Sequence, residues 1–313
     1  MSETRCGFVA LIGAPNAGKS TLINALVGSK VSIVSRKAQT TRNAVRGILV
    51  EGPAQLIFVD TPGLFAPKRR LDRAMIASAW GAAGEADALA LLIDARQELV
   101  AAGKSEAQGG AELSEPVKAI LATLAGSRAP KFLVLNKIDL VERPNLLALA
   151  ARLNGALTFD ETFMISAATG DGVKRLSTKL AEVMPTGPWL YPEDQIADAP
   201  MRSLAAEITR EKLFERLHDE LPYQTTVETE SWKDLPNGSA RIEQTIYVTR
   251  ESHKKIVIGE GGRTIKAIGA AARKEIAEAN ETPVHLFLFV KVRENWLDDP
   301  ERYRAMGLDF PKR

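Results

Sequence analysis

Short apolar runs alternate with helix-like stretches throughout the first 180 residues. The runs cover residues 8–12, 55–59, 88–93, 131–135 and 162–165 and are interpreted as buried strands. Buried apolar strands separated by helical segments are typical of a parallel sheet covered by helices on both faces. The pattern therefore predicts a mostly parallel, doubly wound α/β sheet. Because such sheets bind ligands at the carboxyl ends of their strands, the polar residues that follow each run are candidate site residues.

The pattern changes after residue 185. Residues 186–200 are rich in proline and acids, have no period, and are interpreted as a linker. The predicted elements that follow are a helix at 202–217, two strands at 225–232 and 241–249, a short helix at 252–257, a longer helix at 263–280 and a strand at 284–292. Their order is αββααβ. The predicted division is 1–185, linker 186–200, second domain 201–298 and a polar, partly disordered tail at 299–313. Residues 97–113 are expected to be variable, and no role is assigned to them.

Length and composition narrow the class of protein. A chain of 313 residues favours two domains, each large enough to bury its own core. The single cysteine, Cys6, cannot form an internal disulfide, and no apolar run approaches the length that spans a bilayer. We therefore expect a soluble, cytoplasmic protein. The net charge of +2 gives little information about binding partners. The local distribution of charge along the chain is therefore used to identify them.

A glycine-containing loop separates the first predicted strand from a predicted helix. Its residues are Gly13, Ala14, Pro15, Asn16, Ala17, Gly18, Lys19 and Ser20, and Thr21 follows in the helix. Backbone N–H groups in such a loop surround a phosphate, and the positive end of the helix dipole together with the lysine adds charge. The hydroxyl of Ser20 is then placed to ligate Mg²⁺. The alternative is an ordinary strand-to-helix turn with a surface lysine.

Two further motifs follow predicted strands. The first comprises Asp60, Thr61, Pro62, Gly63 and Leu64, in which the carboxylate suits Mg²⁺ and the Gly63 N–H suits a terminal phosphate. The second comprises Asn136, Lys137, Ile138 and Asp139. A carboxylate there pairs with the ring N–H and the exocyclic amine of guanine, whereas adenine would leave it unpaired. Alone, each could be an ordinary turn or a capped polar loop; their order after the phosphate loop favours a guanine nucleotide site.

Two weaker signals extend this site. Ser166, Ala167 and Ala168 follow the strand at 162–165 and are expected to place a backbone N–H near the guanine carbonyl. Residues 36–42 are polar and aperiodic, which is typical either of a solvated basic loop or of a segment that folds over the nucleotide. In the second interpretation Thr41 completes the Mg²⁺ ligands and senses the terminal phosphate.

A glycine-rich turn lies between two helical segments of the second domain. The candidate RNA-binding residues around it are Lys255, Ile258, Gly259, Glu260, Gly261, Gly262, Arg263 and Lys266. Residues 241–274 carry eight basic and three acidic side chains, although 201–313 as a whole carries nineteen of each. Positive charge concentrated around a Gly-x-x-Gly turn is typical of a phosphate track, and in KH domains this turn clamps about four nucleotides. A plain turn with a solvated helix face is the alternative interpretation.

The order of these motifs resembles the Era, Der and MnmE group of translation-factor-related GTPases. Asn16 within the phosphate loop, the pair Thr40 and Thr41, and the leucine after Asp-Thr-Pro-Gly carry this likeness. With the αββααβ segment, the whole chain resembles the Era family. The resemblance implies a P-loop GTPase domain followed by an α+β type II KH domain. It further implies GTP and GDP binding with Mg²⁺, and catalytic roles for Asn16, Lys19, Thr41 and Gly63.

Several finer expectations come only from this resemblance. A leucine at position 64 cannot orient water as the glutamine of Ras-like enzymes does, which excludes glutamine-assisted hydrolysis. In the resembled group, the residue that matches Asn16 helps to bind K⁺ beside the phosphates. The family also implies a ribosome-assembly factor that binds near the 3′ end of small-subunit ribosomal RNA in the pre-ribosomal small subunit. A monomer with peripheral inner-membrane association is expected as well.

Two other function classes remain open from the residues alone. One is a P-loop ATPase or nucleotide kinase that acts on small molecules, which Asn136, Lys137 and Asp139 argue against. The other is an RNA-binding scaffold in which the nucleotide is structural and is never hydrolysed. Relative affinity for GTP and ATP separates the first from a GTPase, and multiple-turnover phosphate release separates the second.

Overall fold

The computed structural model describes residues 3–311 apart from 36, 38, 39, 43, 68, 107–111 and 295. Its contacts divide the chain into two compact units. The first contains residues 1–31, 41–198 and 307–313, and the second contains residues 32–40 and 199–306. The units therefore differ from the expected domains at three places, because residues 32–40 and 299–306 belong to the second unit and residues 186–198 of the expected linker belong to the first.

A six-stranded sheet forms the centre of the first unit, in the order β2-β3-β1-β4-β5-β6. Its strands are β1 (Arg5–Ile12), β2 (Val45–Glu51), β3 (Ala54–Asp60), β4 (Ala88–Asp94), β5 (Lys131–Asn136) and β6 (Glu161–Met164). All neighbouring pairs are parallel except β2 with β3, which is antiparallel. The mostly parallel sheet is confirmed, and β2 is an edge strand that the sequence analysis does not predict.

Helices cover both faces of this sheet. They are α1 (Lys19–Val27), α2 (Arg70–Glu85), α3 (Ala95–Glu106), α4 (Glu115–Leu124), α5 (Arg143–Ala156) and α6 (Val173–Val183). One apolar cluster packs α1 and α6 on one face, and a second packs α2, α4 and α5 on the other. The part of 97–113 within α3 is helical, and 107–111 lies outside the described residues. Glu98 orders the end of this segment, because its carboxylate accepts bonds from the Ser114 N–H (2.6 Å) and hydroxyl (2.7 Å).

The expected linker packs on the first unit as far as residue 198. The side-chain oxygen of Gln55, a wholly buried residue of β3, accepts bonds from the N–H groups of Leu190 (2.9 Å) and Tyr191 (3.0 Å). Its amide nitrogen donates to the Tyr191 carbonyl (2.8 Å). A buried glutamine must satisfy both ends of its amide, and the backbone of this segment does so.

The second unit combines a three-stranded sheet, in the order β7-β8-β9, with helices. Its elements in chain order are α7 (Met201–Arg216), β7 (Thr225–Asp234), β8 (Ala240–Val248), α8 (Glu251–Ile258), α9 (Arg263–Ala279), β9 (Val284–Val292) and α10 (Pro300–Ala305). β7 is antiparallel to β8, and β9 is parallel to it. The predicted αββααβ order is confirmed.

The C-terminal segment is more ordered than the predicted tail. Asp299 caps α10 by accepting a bond from the Glu301 N–H (3.0 Å). Trp296 and Tyr303 are buried, and these two aromatic side chains anchor a segment whose composition is otherwise polar. No helix among the described residues is long and apolar enough to cross a membrane.

Candidate functional site

The phosphate loop occupies the turn between β1 and α1. Gly18 precedes the helix with φ of 98°, a conformation that L side chains rarely adopt. A Cβ at this position would lie 2.2 Å from Nδ2 of Asn136, so only glycine fits. Asn16 is exposed and has φ of 64°. The loop therefore has the left-handed turns and the helix terminus that its sequence predicts for an anion site.

Lys19 is the buried cation of the loop. Its Nζ donates to the carbonyls of Gly13 and Ala14, both at 3.0 Å. Burial lowers the pKa of Lys19 from 10.5 to about 8, and the charge of Asp60 opposes that change. Desolvation makes the ammonium costly until an anion arrives, so a bound phosphate would stabilise the charged form.

Three oxygen-bearing side chains meet beside the loop, as predicted for Mg²⁺. The Ser20 hydroxyl donates to Oδ2 of Asp60 at 2.6 Å, and Oγ1 of Thr41 lies 3.1 Å from Ser20 Oγ and 3.4 Å from the same Asp60 oxygen. Two hydroxyls and one carboxylate are hard oxygen donors, and Mg²⁺ is usually held by one or two carboxylates together with substrate phosphates and water. The residues present therefore fit the metal.

The segment after β3 returns to the phosphate loop. The buried Thr61 hydroxyl donates to the Leu11 carbonyl at 2.6 Å. A Cβ on Gly63 would lie 2.7 Å from Cα of Pro15, so the two backbones touch. The N–H of Leu64 donates to the Gly13 carbonyl (3.0 Å), and its side chain is buried in the apolar core. Leu64 contributes packing where a glutamine would contribute a polar group.

Asn136 joins three loops at the end of β5. Its Nδ2 donates to the Ala17 carbonyl at 2.8 Å, and its Oδ1 accepts from the N–H groups of Lys137 (2.9 Å) and Ala167 (3.0 Å). The phosphate loop and residues 166–168 are thereby tied to residues 136–139, the predicted base-recognition motif. Asp139 lies in a short 3-10 turn (Ile138–Leu140) and is exposed, so its carboxylate is accessible to a base.

Asp94 is a site residue that the sequence analysis missed. It ends β4, and its Oδ2 accepts from Lys137 Nζ at 2.6 Å. The same ammonium donates to the Asn16 carbonyl at 2.8 Å, and Lys137 itself has φ of 65°. The position of Asp94 at the carboxyl end of a predicted parallel strand was the available signal.

The remaining predicted residues of the nucleotide site lie in α1, in the 3-10 turn after β5 and in the loop after β6. Thr21 is in the first turn of α1 and Ile138 begins the 3-10 turn. Ser166 and Ala167 are buried, whereas Ala168 is exposed. In the predicted nucleotide-covering segment, residues 36, 38 and 39 lie outside the described residues, and Thr40 belongs to the second unit while Thr41 belongs to the first.

The glycine-rich turn of the second unit lies between α8 and α9. Gly259, Gly261 and Gly262 all have positive φ, at 71°, 60° and 76°. A Cβ on Gly259 would lie 2.2 Å from Oγ1 of Thr264, whereas nothing lies within 4 Å of one on Gly261. The second half of the turn is therefore open to a close approach by a nucleic-acid backbone.

Side chains around this turn are mostly exposed. Lys255, Arg263 and Lys266 are exposed, and Ile258 is half-buried. Arg263 pairs with the exposed carboxylate of Glu260 within the turn. The structure thus brings the predicted basic residues together around the turn, with one arginine engaged by an acid in the same loop.

Two family models match the chain in the regions of these two sites. One, described as a 50S ribosome-binding GTPase, matches residues 8–137, and a KH domain model matches residues 220–297. The chain is 65% identical to the GTPase Era of Afipia carboxidovorans over 309 residues, which cover 99% of this chain and 96% of that protein. It is 63% identical to the GTPase Era of Brucella melitensis over 310 residues, with 99% and 95% coverage.

Solved structures agree with these sequence matches. A crystal structure of Era in complex with MgGDPNP and nucleotides 1506–1542 of 16S ribosomal RNA superposes with a TM-score of 0.84 at 36% identity, covering 97% of this chain and 99% of that one. An Aquifex aeolicus Era variant bound to GDP and AlF4⁻ gives the same TM-score, identity and coverage. The predicted GTPase and KH folds and the predicted resemblance are confirmed, and the chain belongs to the Era family of GTPases.

Proposed function

We propose that this GTPase couples a GTP and GDP site in the first unit to recognition of small-subunit ribosomal RNA by the turn at 259–262, in assembly of the small ribosomal subunit. The observation that carries the proposal is the match over 97% of the chain to an Era structure that holds both MgGDPNP and 16S ribosomal RNA. The geometry of each site, taken separately, supports it. The nucleotide would lie at the carboxyl ends of the strands, and the RNA would approach the exposed glycines.

The nucleotide site assigns a task to each residue. Ser20, Thr41 and Asp60 would hold Mg²⁺, which when bound neutralises charge on the β- and γ-phosphates. Lys19 supplies a full charge to the phosphates. Gly63 presents a backbone N–H next to the phosphate loop, and Asp139 pairs with guanine.

We further propose that K⁺ assists hydrolysis at Asn16. Leu64 is buried and offers no polar atom to orient water, so the site lacks a glutamine in that position. The exposed Asn16 side chain stands in the phosphate loop, where an added cation would stabilise the charge of phosphoryl transfer. Initial rates in KCl should exceed those in NaCl, and Asn16→Ala should abolish the difference. Equal wild-type rates in both salts would refute this part of the proposal.

Filter binding of the RNA fragment 1506–1542 tests the RNA site. Gly261→Asp with Gly262→Asp places two carboxylates in the turn and should abolish RNA binding with GTP affinity unchanged. Gly238→Asp is the matched control, because this glycine also has positive φ (77°) and lies in the loop between β7 and β8. RNA affinity that is unchanged in the double variant, or equally reduced in the control, would contradict the assignment of this turn.

Localisation and assembly state extend the proposal. Cytoplasmic location, peripheral association with the inner membrane and a monomeric state are what the family resemblance implies. Fractionation of cells with and without a high-salt wash tests the membrane component. A monomer in sedimentation velocity, and release of protein from membranes by salt, are the expected results.

A further inference from the structure

The sheet of the second unit has one face that α7, α8 and α9 do not cover, and α10 reaches the Tyr247 end of this face through Arg302. Along β9, alternate residues 284, 286, 288, 290 and 292 pack with α7, α8 or α9 in the two apolar clusters. The residues between them therefore point to the opposite face. Two of these are Phe287 and Phe289, whose side chains are 43% and 48% exposed. We call this opposite side the open face.

Arginine side chains contact two aromatic rings of this face, Phe287 and Tyr247. The guanidinium of Arg241, on β8, lies 4.6 Å from the centre of the Phe287 ring. Further along the face, Arg293 and Arg302 lie 4.8 Å and 5.0 Å from the centre of the Tyr247 ring. The cations of this face are Lys233, Arg241, Lys291, Arg293 and Arg302, and its carboxylates are Glu228, Glu230 and Glu243.

All three carboxylates have partners on the same face. Glu243 accepts from Arg241 at 2.9 Å, and Glu228 pairs with Arg302. Glu230 accepts from the Tyr247 hydroxyl at 3.0 Å. Five cations against three paired carboxylates leave the face positive, whereas residues 201–313 as a whole are balanced.

We propose that the open face binds single-stranded nucleic acid by stacking bases on Phe287 and Phe289. The inference rests on the proposed RNA-binding function and extends it to a second contact surface. Alternate residues of a strand are about 6.6 Å apart, which suits successive bases of an extended single strand. Aromatic side chains on a sheet, flanked by cations that track the backbone, are the physical basis of sequence-tolerant single-strand binding.

A protein partner fits this surface less well. The centres of protein interfaces are depleted of charged residues. Here two part-exposed rings share a sheet face with arginines, lysines and carboxylates, and the Phe287 ring is already stacked by the guanidinium of Arg241. That composition favours a ligand with flat bases and negative phosphates.

The open face is separate from the turn at 259–262. Helices α8 and α9, which flank that turn, contribute Val257, Ile268 and Ile276 to the clusters on the covered face. Strand β9 lies at the edge of the sheet among the described residues. Because α8 and α9, which flank the turn, also pack against β9, one RNA strand held by both surfaces would pass around the β9 edge.

Paired substitutions in the full-length chain test stacking. Phe287→Leu with Phe289→Leu keeps apolar bulk but removes the flat rings, and Phe287→Tyr with Phe289→Tyr keeps them. With RNA fragment 1506–1542 as the probe, the leucine variant should bind about 30-fold more weakly or worse, as expected for the loss of two stacked bases. The tyrosine variant should bind within about twofold of wild type. Thermal unfolding establishes that each variant is folded.

Crosslinking gives an independent measurement. The same RNA with 5-iodouridine should crosslink to the peptide that contains residues 284–292, and the leucine variant should lose this crosslink. Equal RNA affinity for wild type and leucine variant, with no crosslink to that peptide, would overturn the inference. So would concentration-dependent self-association of the wild type that the leucine variant loses without any change in RNA affinity, because the face would then bind a second copy.

The experiment separates this inference from the proposed function. If Gly261→Asp with Gly262→Asp weakens RNA binding and the leucine variant does not, only the open face is refuted. If neither variant changes the RNA affinity, both assignments fail. If both weaken binding, each surface contributes.

Discussion

Lys19 should take up a proton when the nucleotide binds. The number of protons taken up depends on how far burial lowers the pKa of this lysine in the free protein. In the free protein the pKa of this lysine is lowered to about 8 because burial penalises the ammonium. Phosphates at the loop would stabilise the charged form and raise the pKa again. Molecules in which Lys19 is neutral must therefore bind a proton when they bind GDP.

The size of the effect follows from the pKa of about 8. The proton uptake per GDP should be ~0.03 at pH 6.5, ~0.5 at pH 8 and ~0.9 at pH 9. Affinity for GDP should be nearly constant below pH 8 and fall up to about tenfold per pH unit above it. The stability of the free protein should change in the opposite direction. The unfolded chain, with a lysine pKa of 10.5, binds more protons between pH 8 and 10.5, so the free energy of unfolding rises with pH in that window.

Calorimetric titration with GDP in buffers of different ionisation enthalpy measures the uptake. Other groups should contribute little near pH 8, because burial lowers the pKa of His253 and raises that of the Cys6 thiol. Lys174→Arg, at an exposed lysine, is the matched control and should keep the uptake. A lysine signal that titrates near pH 8 in the free protein should appear by NMR. Zero uptake at pH 8, with no such signal, would refute the reasoning.

Two substitutions test the geometry of the nucleotide site. Gly18→Ala would place a Cβ 2.2 Å from Nδ2 of Asn136 and should reduce GDP affinity by about 100-fold or more. Gly28→Ala shares a positive φ (75°) but has nothing within 4 Å of its Cβ, so a similar loss of affinity there would mean that strain alone is responsible. Asp94→Asn removes the charge that holds Lys137 and should weaken GDP about tenfold, the cost of one charge-assisted hydrogen bond. Fluorescence titration measures it, and unchanged affinity would show that Lys137 is held without Asp94.

The nucleotide site could be predicted because its polar residues lie at the carboxyl ends of predicted strands. Asp60 and Asn136 end β3 and β5, and the carboxyl ends of parallel strands meet at one edge of a sheet. Asp94 ends β4 in the same way, but a single carboxylate gives no sequence motif. Its role depends on a contact with Lys137, 43 residues later in the chain.

Edges and faces of sheets were harder to predict. Strand β2 is partly exposed on an edge, and its burial does not alternate, so its sequence has no clean period. In β9 both faces carry apolar residues, because Leu286 and Leu288 alternate with Phe287 and Phe289. Hydrophobicity therefore predicted the strand but could not show that two of its aromatic residues are exposed.

The segment at 32–40 illustrates a contact that no local pattern contains. The sequence analysis assigns no element to residues 32–35, which precede the polar segment at 36–42, but Ile33 is buried in an apolar cluster of the second unit with residues of α7, α9 and β8. The N–H of Val34 donates to Oε1 of Glu211 at 2.7 Å, across 177 positions of sequence. Packing against residues so distant in the chain cannot be predicted from the local sequence.

This packing gives one route by which nucleotide binding can influence the second unit. Thr41 lies with the proposed Mg²⁺ ligands of the first unit, whereas the carbonyl of the adjacent Thr40 accepts a bond from the buried guanidinium of Arg210 in the second. Movement of Thr41 that breaks this bond would leave a buried charged donor with one partner fewer, which costs about 1–3 kcal/mol. A free-energy difference of that size corresponds to coupling of roughly 5- to 150-fold. GTP can shift the second unit only through such a difference in affinity, so Arg210→Ala should reduce any effect of GTP on RNA affinity while the turn at 259–262 stays intact.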